Sequence, residues 1–315
     1  MPWMDQTIKK SFKDVLTWQM RSERKFDKRV PHEPDIETQS LARWQSLAGP
    51  LKVMWLGHAS FLIELNARTI LIDPVFGDVN TLVRRQTEIP FDLDNLPHID
   101  VVLLTHGHYD HLNVRSLDYL AKRSDDTVFF VPMGQGRYLP SSCQKDHIRT
   151  FDWWDSLLLD DVQFTFLPSQ HWHQRGPFDY NKALWGGWWI HGMSGSSFYH
   201  MGDSGYFKGF EAIFEMMGAP DVMALPAGAY EPRWFMQLQH MNPQEAWQVA
   251  RKLQAKYTIP MHYGTFDLSD EPLQQGLKDF RVLCEEDASK AQAQGFLPLA
   301  HGGSMSFDRG ERMES

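Results

Sequence analysis

From residue 51 the chain alternates short apolar runs with polar turns. LKVMWL, SFLIEL and TILIDP follow one another with only GHA and NAR between them, which predicts closely paired strands. DVVLLT (100–105) has the β-branched, apolar character of a buried strand, and Asn113 to Lys122 reads as the helix after it. VFFVP (128–132), VQFTFLP (162–168), ALWGGWWI (183–190), SFYHMGD (197–203) and DVMALP (221–226) extend the strand series. Asn242 followed by Pro243, with Glu245 behind them, marks the start of a helix that runs to about Lys256. TIPMHYG (258–264) is a further strand ending in a loop, and 272–294 is helical by composition. Pro31 to Gly49 reads as loop with a short helix. The order predicts a layered α/β architecture, sheet on sheet with helices outside.

Ahead of this body, Ile8, Phe12, Leu16 and Met20 recur every four residues, the pattern of a short amphipathic helix. Residues 1–30 carry eight Lys or Arg and four Asp or Glu, net +4, which leaves −13 for the rest of a chain whose total is −9. A helix packed on the domain with a solvated basic face is the plain expectation. Weak contact with anionic lipid is the sharper one. The acidic balance of the body argues against nucleic acid. The sequence shows no apolar leader and no apolar run of membrane-spanning length, so a cytoplasmic protein, with some peripheral contact at the inner membrane face, is expected. Cys143 and Cys284 alone make no disulfide framework. In 315 residues we expect an N-terminal basic arm with short helices (1–50), one catalytic domain (51–308) and a short tail (309–315).

The candidate chemistry lies where strands end. LLTHGHYDHL (103–112) places His106, His108, Asp110 and His111 directly after an apolar strand. A strand-to-helix loop, with Asp110 and His111 at the helix start, can serve two points a few ångströms apart. That is the arrangement of a two-metal site, with separations of about 3.5–4 Å. Imidazole and carboxylate suit Zn²⁺, with Fe or Mn as alternatives. Further ligands must come from later strand ends, and PSQH171, MGD203 and MH262 each occupy one. His32, His98 and His147 read as surface or core, and His191 and His200 as strand residues that pack or hydrogen-bond. Asp73, and after it His58, are the candidates to orient ligand imidazoles through their outer N–H.

HxHxDH is far more specific than a lone HxH. With it run, in order, WLGHASFLIE, LIDPVF, FLPSQHW, NKALWGGW, GDSGY, GAYEPRWFM, QHMNPQEA and MHYGTF. From about residue 53 to 308 the series resembles the metallo-β-lactamase-fold hydrolases, in their N-acyl-phosphatidylethanolamine-hydrolysing phospholipase D branch. The resemblance implies a four-layered αββα sandwich of two packed mixed β-sheets with helices outside. It implies that His106, His108 and His171 hold one zinc, that Asp110, His111 and His262 hold the other, and that Asp203 bridges both. It favours His171 over the nearby His173 and places His240 in the substrate pocket.

Two zincs sharing a water would lower its pKa toward about 7 and give a hydroxide that attacks a phosphodiester, with Asp110 or Asp203 as proton acceptor. The implied reaction is a phospholipase D-type cleavage of an N-acyl-phosphatidylethanolamine-like lipid to an N-acylethanolamine and phosphatidic acid. The 12 Trp and 20 Phe include WGGWW and PRWF, which could line an apolar slot. The alternative keeps the site and takes a small soluble substrate, a lactone or sugar-phosphate-like diester. A di-iron, flavin-partnered redox site is disfavoured, because such sites place Glu where His108 stands.

Overall fold

Among the described residues, fifteen strands fall into two mixed sheets. In chain order they are β1 Leu51–Gly57, β2 Ser60–Leu65, β3 Arg68–Ile72, β4 Val101–Leu103, β5 Val128–Pro132, β6 Ile148–Phe151, β7 Ser156–Leu159, β8 Val162–Pro168, β9 Gly186–Gly192, β10 Ser197–His200, β11 Val222–Pro226, β12 Tyr257–Met261, β13 Gly295–Phe296, β14 Ser304–Asp308 and β15 Glu311–Met313. The first sheet runs β15-β14-β1-β2-β3-β4-β5-β6 and the second β13-β12-β11-β10-β9-β8-β7. Within the first, β3 through β6 are parallel; within the second, β10 through β13 are. The computed structural model describes residues 4–10, 12–20, 32–288 and 295–313.

Alternation along β1 explains the layering. Leu51, Val53 and Trp55 face the second sheet, where they meet Phe164, Phe166, Trp188, Ile190 and Phe198. Met54 and Leu56 face the other way, onto Trp44 and Leu47 of the α2 region (Ser40–Ser46) and Leu117 and Leu120 of α3 (Val114–Arg123). Strands buried on both faces read as continuous apolar runs, which is why β1 shows no polar alternation. On the outer face of the second sheet, Met223 and Leu225 pack beneath α4 (Gly209–Met217), α6 (Pro243–Lys252) and α7 (Gln275–Ala288); the single-turn α5 (Arg233–Met236) precedes α6 in the chain. This is the expected four-layered αββα sandwich.

Four differences from expectation have physical causes. The helix after β4 begins at Val114 with Asn113 as its cap, the side chain of Asn113 accepting from Ser116 N; Asp110 and His111 therefore lie in the preceding turn, not in the helix. The sheet continues beyond residue 308, because β14 and β15 form a hairpin across that boundary. The N-terminal stripe is not one helical face. α1 spans Phe12–Gln19 only, Ile8 is fully buried ahead of it, and Leu16 and Met20 are exposed. Ile8 lies in a non-helical segment, where its carbonyl accepts from the Tyr180 hydroxyl. Residues 21–31, which hold much of the basic charge, lie outside the described residues. Finally, Trp185, Trp188 and Trp189 of WGGWW are buried core residues. Among the described residues no helix is long and apolar enough to cross a membrane.

Candidate metal centre

The strand-end loops meet at one edge of the sandwich. The loop after β4 brings His106, His108, Asp110 and His111 from the first sheet. The second sheet supplies His171 after β8, Asp203 after β10 and His262 after β12. Their ligand atoms form two groups. His106, His108 and His171 converge, with His108 Nδ1 3.0 Å from His106 Nε2 and 3.1 Å from His171 Nε2. Beside them His111 Nε2 and His262 Nε2 stand 3.3 Å apart, each 3.6 Å from Asp110 Oδ2. Asp203 Oδ2 lies between the groups, 3.2 Å from both His111 Nε2 and His262 Nε2, 3.7 Å from His106 Nε2 and 3.9 Å from His171 Nε2.

Outer hydrogen bonds decide which nitrogen of each ring faces inward. His111 Nδ1 donates to Asp73 Oδ2 (2.7 Å), and His171 Nδ1 donates to the Gln239 carbonyl (3.0 Å). The Thr105 hydroxyl donates to Asp73 Oδ2 (2.5 Å), so its oxygen accepts from His106 Nδ1 (3.1 Å). Each of these rings thereby turns Nε2 to the centre. His106 and His171 then aim lone pairs at His108 Nδ1, whose single proton can serve only one of them. His108 Nε2, Asp203 Oδ1 and His262 Nδ1 are buried without a partner among the described residues.

The electrostatics agree. Burial would raise the Asp110 and Asp203 pKa values, but the surrounding imidazoles hold both well below the usual carboxylate range: His111, His262 and His58 act on Asp110, and His262, His111 and His240 on Asp203. Burial keeps His106, His108 and His240 well below the ordinary imidazole value and brings His171 to about 4. His111 and His262 go the other way. Burial opposes their charging, yet Asp203 and Asp110, with Asp73 beside His111, outweigh it; His111 rises well above the usual value and His262 to about 9. The centre therefore calls for positive charge among its carboxylates. Inward-facing imidazole nitrogens and two ionised carboxylates fit divalent cations, and nitrogens about 3 Å apart suit ligands each about 2.0–2.1 Å from a shared ion.

All seven expected ligands are thus brought together. His240 joins them, its Nδ1 3.9 Å from Asp203 Oδ2 and without a partner among the described residues. His173 does not: its Nε2 pairs with the Tyr138 hydroxyl and its Nδ1 with Gln135, each at 3.2 Å. Asp73 accepts from the outer N–H of His111, one of the candidate ligands. His58 instead meets a carboxylate, Asp110 Oδ2, at 2.9 Å, and so acts on no imidazole N–H; burial and the neighbouring His262 push its pKa down to about 3. His200 is a core residue that donates to the Ala59 carbonyl. Thr105 and Gln239 escaped the sequence reading. The hydroxyl of Thr105 sits directly before His106 and could have been weighed; Gln239 acts through its backbone, which leaves no side-chain signal.

Residues 68–263 match the Beta-lactamase superfamily domain. N-acyl-phosphatidylethanolamine-hydrolyzing phospholipase D 1 of Caenorhabditis elegans is 33% identical over 68% of this chain and 64% of its own length, so the chain spans less than two thirds of that relative. A UPF0173 metal-dependent hydrolase of Methanopyrus kandleri is 27% identical over 75% of this chain and 92% of its own. Among solved structures, a metallo hydrolase from the archaeon Ignicoccus hospitalis superposes with a TM-score of 0.59 at 22% identity, covering 81% of this chain and 97% of that one, which shows the fold. With a domain match across most of the two sheets and a matching architecture, the chain belongs to the beta-lactamase superfamily, in its metallo-β-lactamase fold.

Proposed function

We propose that this protein is a dinuclear metallohydrolase, a phosphodiesterase of phospholipase D type acting on N-acyl-phosphatidylethanolamine-like lipids. The position of Asp203 carries the dinuclear reading: one buried carboxylate reaches both nitrogen clusters. His106, His108 and His171 would hold one cation, Asp110, His111 and His262 the other, and Asp203 both. Zn²⁺ suits this donor set best, with Fe or Mn as alternatives. When bound, the ions supply Lewis acidity and lower the pKa of a water molecule toward about 7.

The chain's own residues do the rest. Asp73 and Thr105 hold His111 and His106 in the tautomers that face inward. That Asp203 Oδ1 is buried and unpaired among the described residues supports a role for it as proton acceptor. His240, kept neutral by burial beside Asp203, can donate one N–H to a substrate oxygen. Support for the lipid substrate comes from the nematode relative and from GAYEPRWFM, a stretch that the fold alone does not require.

The test uses purified protein, added zinc and a lipid with a labelled headgroup. N-acylethanolamine and phosphatidic acid should appear together, and Asp203→Asn should lose most turnover. Rapid hydrolysis of soluble lactones or esters without headgroup release would reject the lipid assignment. Wild-type rates in Asp203→Asn would reject the site.

A further inference from the structure

Behind the metal centre, residues 230–245 form a polar network that no metal contact requires. The two carboxylate oxygens of Glu271 accept from Tyr230 N (3.1 Å) and Glu231 N (3.0 Å). Glu231 Oε2 in turn accepts from Arg233 N (3.0 Å). The Arg233 guanidinium then reaches in three directions. Nη1 donates to the carbonyls of His240 (2.9 Å) and Tyr230 (3.4 Å), and Nη2 to Glu245 Oε2 (2.7 Å). Glu245 also closes the capping box of α6: its Oε2 accepts from Asn242 N (3.0 Å), while its own N–H donates to Asn242 Oδ1 (2.8 Å).

The turn enclosed by this network has two duties. Its Gln239 carbonyl orients His171, and its next residue, His240, stands beside Asp203. Its other supports include backbone bonds, with Gln239 N and His240 N both donating to the Met236 carbonyl (2.9 Å) and Met241 N to the Ser204 carbonyl (3.0 Å), and a contact of Gln239 Nε2 with Met236 Sδ (3.5 Å). Among the described contacts, Arg233 is the partner of the His240 carbonyl. That carbonyl and the Gln239 carbonyl sit on consecutive peptide planes hinged at the His240 Cα, so freeing one lets the other turn.

We propose that Arg233 is a positioning residue: by holding the His240 carbonyl it fixes the 236–241 turn and thereby the orientation of both His171 and His240. The inference assigns GAYEPRWFM and QHMNPQEA one joint purpose, an arginine from the first stretch clamping the second. It requires arginine, because three acceptors at separate angles need a planar fork; the point charge of lysine cannot satisfy them together. The part that concerns metal retention rests on the proposed function, and the geometric part does not.

Arg233→Met, Arg233→Lys and Glu245→Gln test it. In metal-free protein with ¹⁵N-labelled histidine, the His171 Nδ1–H signal, identified by its loss in His171→Gln, should exchange slowly with solvent in the wild type. It should exchange about tenfold faster or more in Arg233→Met, the scale of losing one charge-assisted contact, and less so in Arg233→Lys. Titration with Co²⁺ should show one of two ions bound about 10–100-fold more weakly in Arg233→Met, the scale of losing an outer partner of a ligand, with the other ion unaffected. Wild-type exchange in Arg233→Met overturns the inference. So does equal weakening of both ions in step with a lowered thermal midpoint, the mark of general destabilisation. If Arg233→Met fails to fold, Arg233→Lys and Glu245→Gln carry the same comparison. If the wild type takes up no Co²⁺, the metal reading fails, and imidazole exchange alone decides the role of Arg233.

Discussion

Asp73→Asn separates the shape of the ligand cluster from its proton arrangement. Asp73 is fully buried. Its Oδ1 accepts from Thr105 N (2.8 Å), and its Oδ2 from both the Thr105 hydroxyl (2.5 Å) and His111 Nδ1 (2.7 Å). Its φ is +42°, in the left-handed region that asparagine tolerates well, so the backbone has no reason to move. An asparagine has a single acceptor oxygen. With that oxygen on Thr105 N, its amide N–H faces the His111 Nδ1–H, two donors head to head. His111 must then shift its proton to Nε2, which turns an N–H toward Asp203 and His262 where a lone pair is needed. One charge-assisted hydrogen bond is lost, about 1.5–3 kcal/mol, or roughly ten- to a hundredfold in an equilibrium constant. We therefore expect Asp73→Asn to bind one of two zinc ions about 10–100-fold more weakly, in line with losses of outer partners elsewhere. Competition with a chromophoric chelator measures this, and excess zinc should restore much of the lost turnover. Zinc affinity within about twofold of wild type would refute the tautomer argument, since the rest of the centre is untouched.

Gly107→Ala should cripple the centre by contact alone, because a Cβ there would stand 2.7 Å from His173 Nδ1 and overlap Gln135 Oε1 and His173 Cε1; metal analysis should show incomplete loading. His200 donates through Nε2 to the Ala59 carbonyl and accepts at Nδ1 from Gly202 N, so protonation would set two donors against each other. Burial brings its pKa from 6.5 to about 4. Above pH 6.5 neither the folded nor the unfolded chain protonates it. Between 6.5 and 4 only the unfolded chain does, so stability falls as the pH drops through that window, by about 3 kcal/mol from this group. Urea denaturation across that range should show a shallower decline for His200→Gln than for wild type. Asn242→Ala removes the cap of α6 and its share of the capping box, and should cost about 1 kcal/mol, read as a lowered thermal midpoint.

How much of this could be read from the sequence depended on where each residue advertises its role. The candidate ligands did so through unusual spacing: three histidines and a carboxylate within six positions have few other uses, and the later strand ends each supplied one more. The central strands announced themselves because both faces of each are buried. The edge strands did not. β6 and β7 are half exposed, and their short segments IRTF and SLLL carry no turn signal that separates them from loop. α4 begins without a side-chain cap, at Gly209, which hides its start. WGGWW was legible as apolar but not as to side: in a double-faced strand the same residues serve core or cleft, and only packing decides. The N-terminal stripe misled for a related reason. A repeat of four describes a helical face only where one helix carries all its members, and here Ile8 is buried ahead of α1 while Leu16 and Met20 are exposed.

The origin of these candidate ligands has a mechanical consequence. Four of them hang from the first sheet and three from the second, so cations held there would act as rivets across the seam between two separately built layers. Metal content should then be felt throughout the sandwich: stripping the ions would loosen the grip of one layer on the other, and heat resistance would become a gauge of how fully the centre is loaded.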